Sequence, residues 1–335
     1  MRTSLSTTLL RHGFDQRGND VSRVLLTADD AGASTEVNER IEEACDRGFV
    51  NSVSFLTNTE AFSDAVSRFS ARGEVRRSVH LNVVEGRPLA LTSASPLVDD
   101  DGYFKYQAAN LLVAHLLAGG ALRSAIERDI QTEWKEQIVR FLDEFGDKQP
   151  LNIDSHQHLH VAPFALGPLV AAVRDLKVRV NEIRMPRETV LPRITSHTLR
   201  HGYLSLNLAK YLLLRRQSSK GLARLENGHD DIFESQDPNR RFSTSFSGVL
   251  CTGHMTTDAC QRFAAKAPLM VSEAGYSEIL VHPGGGQRPT DAWRHTPALD
   301  TFYRSAWRSA EMETACDPMW AAVLGQPRDS TRTME

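Results

Sequence analysis

Four well-separated stretches carry residues of the kind that bind metals or move protons. They are Asp29-Asp30 in LLTADDAG, His80 in VHLNVVEG, the run DSHQHLH from Asp154 to His160, and His282 in LVHPGGG. Carboxylate oxygens and neutral imidazole nitrogens suit Zn²⁺ or another first-row divalent ion. Hydrolysis also needs a base that takes a proton from water and an acid that gives one to the leaving group, and this set has Asp and His to spare. If DSHQHLH continues as a strand, His156, His158 and His160 occupy alternate positions and face one side. The run lies in mid-chain and is therefore no expression tag.

Taken singly, each piece has an ordinary explanation. An acid pair after a strand often caps the next helix. A lone strand-end histidine is usually a packed or hydrogen-bonded residue, and HPGGG reads equally well as a turn. Their shared placement at strand ends is what points to a site. Two known H-x-H arrangements fit poorly. Amidohydrolase barrels carry the motif on an early strand, whereas here the first strand carries Asp29-Asp30. Metallo-β-lactamases put the acid after the histidines, whereas Asp154 precedes them.

The elements that must position these residues alternate. VSRVLLTADD reads as a buried strand ending in its two acids, and STEVNERIEEACDRG as a helix capped by Ser34 or Thr35 and closed near Gly48. NSVSFLTN and AFSDAVSRF repeat the pair, and RSVHLNVVEG gives a third strand with His80 and Asn82 near its end. A polar loop over 87–103 precedes a long helical region from about Ala108 to Phe145, divided at Gly119-Gly120. On it Ile126, Ile130, Trp134, Ile138 and Phe141 share a face. PLNIDSHQHLH, VNEIRMPRE, SGVLCTGHM and YSEILVHPGGG read as further strands, and TFYRSAWRSAEMETA as a closing helix. Strand-helix alternation is the mark of parallel βα units. In a parallel barrel the C-terminal strand ends share one rim, where chemistry collects.

This organisation implies an α/β fold, a single domain over 23–325 with an N-terminal extension over 1–22 and a tail over 326–335. An excursion at about 191–244 contains the basic, leucine-rich LAKYLLLRRQ. Its role stays open among a lid, a subunit contact, a membrane-surface helix and plain packing. The chain has 335 residues, 39 basic and 42 acidic, so no overall field draws it to nucleic acid. No apolar run reaches the roughly 20 residues of a membrane span, and the opening segment lacks the hydrophobic stretch of a secretory signal. A cytoplasmic address is expected. Cys45, Cys251, Cys260 and Cys316 show no C-x-x-C spacing and read as reduced packing residues.

The motifs TADDAG, NSVSFLTN, HLNVVEGRPL, LNIDSHQHLH, IRMPRE and EILVHPGG, in this order over about Arg23 to Trp320, resemble the YdjC-like carbohydrate deacetylases, which include chitooligosaccharide deacetylases. The resemblance implies a distorted (β/α) TIM-like barrel of the glycoside hydrolase/deacetylase type and one divalent ion, Mg²⁺ or Zn²⁺, held by Asp30, His80 and His156. It implies Asp29 as base and His282 as acid, and an N-acetylated amino sugar or oligosaccharide as substrate. His158, His160, Arg184 and Asn82 are then expected to contact substrate or support the site, Arg184 by orienting Asp29. Two other readings are a metal-dependent hydrolase of a different amide or ester, and a non-catalytic sugar-binding regulator on the same barrel. A homo-oligomer is compatible with either. One departure from the family pattern is Ala31, where Phe is usual, which implies a pocket floor beside the base that is wider or differently filled and leaves the identity of the sugar open.

Overall fold

The computed structural model describes residues 24–146, 150–270, 275–284 and 297–324. The 1–22 extension and the 326–335 tail fall outside them. Strand β1 (Val24–Ala31) is buried along its whole length and delivers the acid pair to its C-terminal end. A sharp turn follows at Gly32 (φ 97°), where a Cβ would come within 2.5 Å of the Leu56 carbonyl oxygen. Only glycine tolerates that combination. Helix α1 (Thr35–Asp46) then starts on Ser34, whose hydroxyl accepts the Val37 N–H at 3.2 Å. Strand β2 (Ser52–Phe55), α2 (Phe62–Phe69) and β3 (Arg76–Leu81) complete the first units.

The helical region divides at Gly119 into α3 (Ala108–Leu117) and α4 (Gly120–Phe145). All five apolar residues expected on one face of α4 are buried, each worth about 1.5–3 kcal/mol of transfer free energy. Then come β4 (Leu151–Ser155), α5 (Leu166–Leu176), β5 (Val180–Ile183) and the short turn α6 (Ser196–Thr198). Helix α7 (Leu206–Gly228), β6 (Ser243–Ser247), α8 (Thr257–Met270) and β7 (Tyr276–Val281) follow, and then α9 (Pro297–Arg304) and α10 (Trp307–Ala315).

All seven strands are parallel, in the order β5-β4-β3-β2-β1-β7-β6. The two edge strands meet through isolated contacts instead of a ladder. The Ile183 N–H donates to the Arg241 carbonyl at 3.0 Å, and Glu188 bridges to Phe246. The sheet of the described residues thus curls into the expected distorted barrel, with an irregular seam between its two edge strands. Its interior is largely polar. Thr27, Ser54, Ser78, His80, Asp154, Arg184 and Glu278 are all buried there.

Three local expectations fail. DSHQHLH is not one strand: β4 stops at Ser155, and His156–Val161 forms a tight turn with Gln157 (φ 53°) and His158 (φ 57°) in left-handed backbone. The three histidines therefore diverge. SGVLCTGHM is not a strand beyond its first residue, because the strand lies earlier, at Ser243–Ser247. The closing helix breaks at Ser305–Ala306 into α9 and α10. The excursion is also no appendage. Helix α7 buries Tyr211, Leu214 and Leu225 and packs on the His156–Val161 turn. Cys45, Cys251 and Cys260 are buried, as expected of packing residues.

Candidate active site

At the C-terminal rim a cleft of about 200 Å³ is lined by, among others, Asp29, Asp30, His80, His156, His158 and His282. Asp30 sits at φ 71°, a left-handed conformation unusual outside glycine. Such conformations persist where surrounding structure enforces them, and they gather at functional sites. Here the kink sends the two adjacent acids different ways. Asp30 Oδ1 lies 2.9 Å from His156 Nδ1 and 3.2 Å from His80 Nε2. The Tyr303 hydroxyl donates to the other Asp30 oxygen. Burial works to raise the Asp30 pKa, but His156 and His80 outweigh it and hold the carboxyl well below its usual range.

One atom from each of Asp30, His80 and His156 falls within 4.8 Å of the others, the clustering a metal ion requires. The supporting contacts fit a metal as well. His80 Nδ1 lies 2.6 Å from Asp154 Oδ1, which leaves Nε2 turned to the cluster. Glu85 Oε2 stands 2.7 Å from His156 Nε2, a charge contact without hydrogen-bond geometry that leaves Nδ1 for the cluster. A carboxylate on the far nitrogen of each imidazole is the usual backing of metal-ligating histidines. A second group, Asp29, His80 and Asp154, also clusters. Asp154 is the weaker candidate, because Arg184 neutralises it at 2.9 Å and it faces away from the cleft.

Asp29 is gripped by Arg184, Nη1 to Oδ2 at 2.8 Å and Nη2 to Oδ1 at 2.9 Å. Burial nonetheless raises its pKa against the pull of Arg184 and His80. His282 Nε2 lies 4.0 Å from Asp30 Oδ2, and His282 Nδ1 lies 3.4 Å from Glu311 Oε2. Glu311 also accepts the His282 backbone N–H at 2.6 Å and the Arg308 guanidinium at 2.9 Å.

The structure gathers Asp29, Asp30, His80, His156, His158 and His282 at the cleft and places three other expected residues behind it. His160 is fully buried between the Ser155 hydroxyl and the Arg184 carbonyl, each at 2.6 Å, so it braces the turn. Arg184 is spent on Asp29, Asp154 and Glu278. The Asn82 side-chain oxygen Oδ1 accepts the Val84 and Glu85 N–H groups at 3.0 and 3.1 Å, which fixes the loop presenting Glu85. Ala31 lies in the apolar core and is not among the residues that line the cleft. His158 keeps a buried Nδ1 without a hydrogen-bond partner, and burial with nearby Lys210 and Arg184 holds its pKa well below the ordinary value.

Sequence reasoning missed Glu85, Lys210, Glu278, Tyr303 and Glu311. Glu278 did leave a signal, since Glu278, Leu280 and His282 alternate on β7 and its extension and face the same side. Lys210 reaches the cleft from α7, and burial lowers its pKa to about 8.

A family model described as YdjC-like protein matches residues 23–326. A carbohydrate deacetylase of Mus musculus is 32% identical over 168 residues, 50% of this chain and 51% of that one. A chitooligosaccharide deacetylase of Escherichia fergusonii is 30% identical over 171 residues, 50% of this chain and 63% of that one. The chain thus spans about half to under two thirds of these curated relatives. A solved structure from Enterococcus faecalis V583, described as a candidate cellobiose-phosphate cleavage protein, superposes with a TM-score of 0.54 at 20% identity. It covers 90% of this chain and 93% of that one, a likeness of fold.

Proposed function

The chain belongs to the YdjC-like family, and on that premise we propose that it removes N-acetyl groups from amino sugars or oligosaccharides with the help of one divalent ion. The observation that carries this reading is the buried group Asp30, His80 and His156 opening on a cleft that Asp29 and His282 share. Its relatives named carbohydrate deacetylase and chitooligosaccharide deacetylase support the substrate class.

Asp30, His80 and His156 would hold the ion, which supplies Lewis acidity toward the acetamide oxygen and a lowered pKa for water. Mg²⁺ and Zn²⁺ both suit one carboxylate and two imidazoles completed by water. Asp29 takes the proton from water as its oxygen bonds to the carbonyl carbon. The raised pKa makes it the stronger base, and Arg184 fixes its plane. His282 delivers a proton to nitrogen as the C–N bond breaks, giving a free amine and acetate. Glu311 fixes the His282 backbone by accepting its N–H and lies 3.4 Å from the ring Nδ1. His158 and Lys210, with Gln107, Gln157 and Thr252, are polar groups of the lining that can grip the sugar. The small cleft suits one sugar unit at a time.

Acetate release from a panel of N-acetylated mono- and oligosaccharides tests the reading. Release of acetate and amine in equal amounts is expected. Silence across the panel, or turnover only of unrelated amides or esters, would refute it.

A further inference from the structure

Between Glu188 and Glu226 the chain has no acidic residue, yet seven basic ones lie from Arg193 to Arg224. The whole chain is nearly balanced, with 39 basic and 42 acidic residues, so the bias is local. The structure gives it a shape. On α7 the positions 206, 209, 213, 216, 220 and 223 recur at intervals of three and four, and all are exposed. They form an outward stripe. Its first half is apolar. Leu206 is 90% exposed and Leu213 44%, and the preceding segment adds Leu204 at 75% and Ile194 at 73%. Its second half is basic, with Arg216 and Lys220 on the stripe and Arg224 beside it. The opposite face is anchored in the protein by Tyr211, Leu214 and Leu225, so this orientation is fixed by packing.

Contiguous exposed aliphatic side chains mark an interaction surface. Two occupants deserve comparison. A second copy of this chain, packed by two-fold symmetry, would set the basic row against its own duplicate with no acid in the segment to relieve it. A lipid surface with anionic headgroups satisfies both halves, taking the leucines below the headgroups and the arginines and lysines among them. Among the described residues no helix is long and apolar enough to cross a membrane. Helix α7 has the makeup of one that lies along the interface.

We propose that α7, together with Leu204 and Ile194, docks the protein on an anionic lipid surface. The consequence reaches the cleft. Lys210 on the inner side of α7 lines it, and Asn207 Nδ2 donates to the carbonyl of Thr252, another lining residue, at 3.2 Å. Docking brings the cleft rim beside the headgroups, where a membrane-held substrate would meet it. The proposal stands independently of the reaction the cleft performs.

The test is co-sedimentation of the full chain with vesicles of phosphatidylcholine and phosphatidylglycerol, against vesicles of phosphatidylcholine alone. Wild type pellets with the mixed vesicles and stays in solution with the neutral ones. Leu206→Ser with Leu213→Ser, and separately Arg216→Glu with Lys220→Glu, each weaken pelleting by about tenfold or more. Their thermal midpoints match wild type, since all four side chains are at the surface. Failure of wild type to pellet, equal pelleting with neutral vesicles, or undiminished pelleting of the variants overturns the proposal. So does a wild-type dimer in light scattering that the leucine variant dissolves while no vesicle is bound, because the face then belongs to a second copy.

Discussion

Arg184 holds Asp29 by both carboxylate oxygens, at 2.8 and 2.9 Å, and the same guanidinium reaches Asp154 Oδ2 at 2.9 Å and Glu278 Oε1 at 2.8 Å. One cation thus serves three buried carboxylates from β1, β4 and β7. The planar fork sets the plane of Asp29 as a point charge would not. The polar interior of the barrel is in this sense a frame for the rim. Asp154 passes the constraint on to His80, and Asp29 stands next to Asp30 on the chain.

Arg184→Met leaves Asp29, Asp154 and Glu278 buried without their shared cation. Removing one partner of a buried ion pair costs about 3–5 kcal/mol. Urea denaturation should show a loss of that size. A loss below about 1 kcal/mol would mean that the three acids are neutralised without the arginine.

Asp29→Asn keeps the shape of the side chain and removes its ability to take a proton. Turnover is expected to fall by about 10²-fold or more, with the metal content of the purified protein unchanged. A variant that turns over at the wild-type rate while holding the same ion would show that another group is the base.

Glu311 gives a pH dependence whose sign is fixed. Burial raises its pKa, but Arg308 and the contacts with His282 outweigh it and hold the value at about 2, against 4.5 unperturbed. A depressed folded-state pKa stabilises above the unfolded value. The contribution is complete above pH 4.5 and drains away as pH falls from there toward 2. It amounts to about 3 kcal/mol on the usual conversion of pKa shift to free energy. Thermal midpoints of wild type and Glu311→Gln, followed from pH 5 downward, should converge as the acid is protonated. Parallel curves would remove Glu311 from the account.

Much of this site is legible in the sequence, because parallel strands appear as short apolar runs whose ends carry the polar residues. Asp29, Asp30, His80 and His282 announce themselves in that way. The turn after β4 does not. Alternation in DSHQHLH imitates a strand, and nothing in the residue types says that Ser155 will take the His160 N–H at 2.9 Å and end it. Asp154 becomes meaningful only once β3 and β4 are paired, since it is the cross-strand neighbour of His80. Tyr303 meets Asp30 across 273 positions of sequence, and Lys210 arrives from a helix in the segment with the weakest pattern. Such contacts belong to the tertiary fold, and local periodicity carries no trace of them.

The central claim is that Asp30, His80 and His156 hold one divalent ion. Elemental analysis of the purified wild type beside His156→Ala, with equal folded fractions established by circular dichroism, measures it directly. The account predicts about one equivalent of Zn²⁺, Mg²⁺ or a similar ion in wild type and little in the variant. Wild-type metal content in His156→Ala would contradict it.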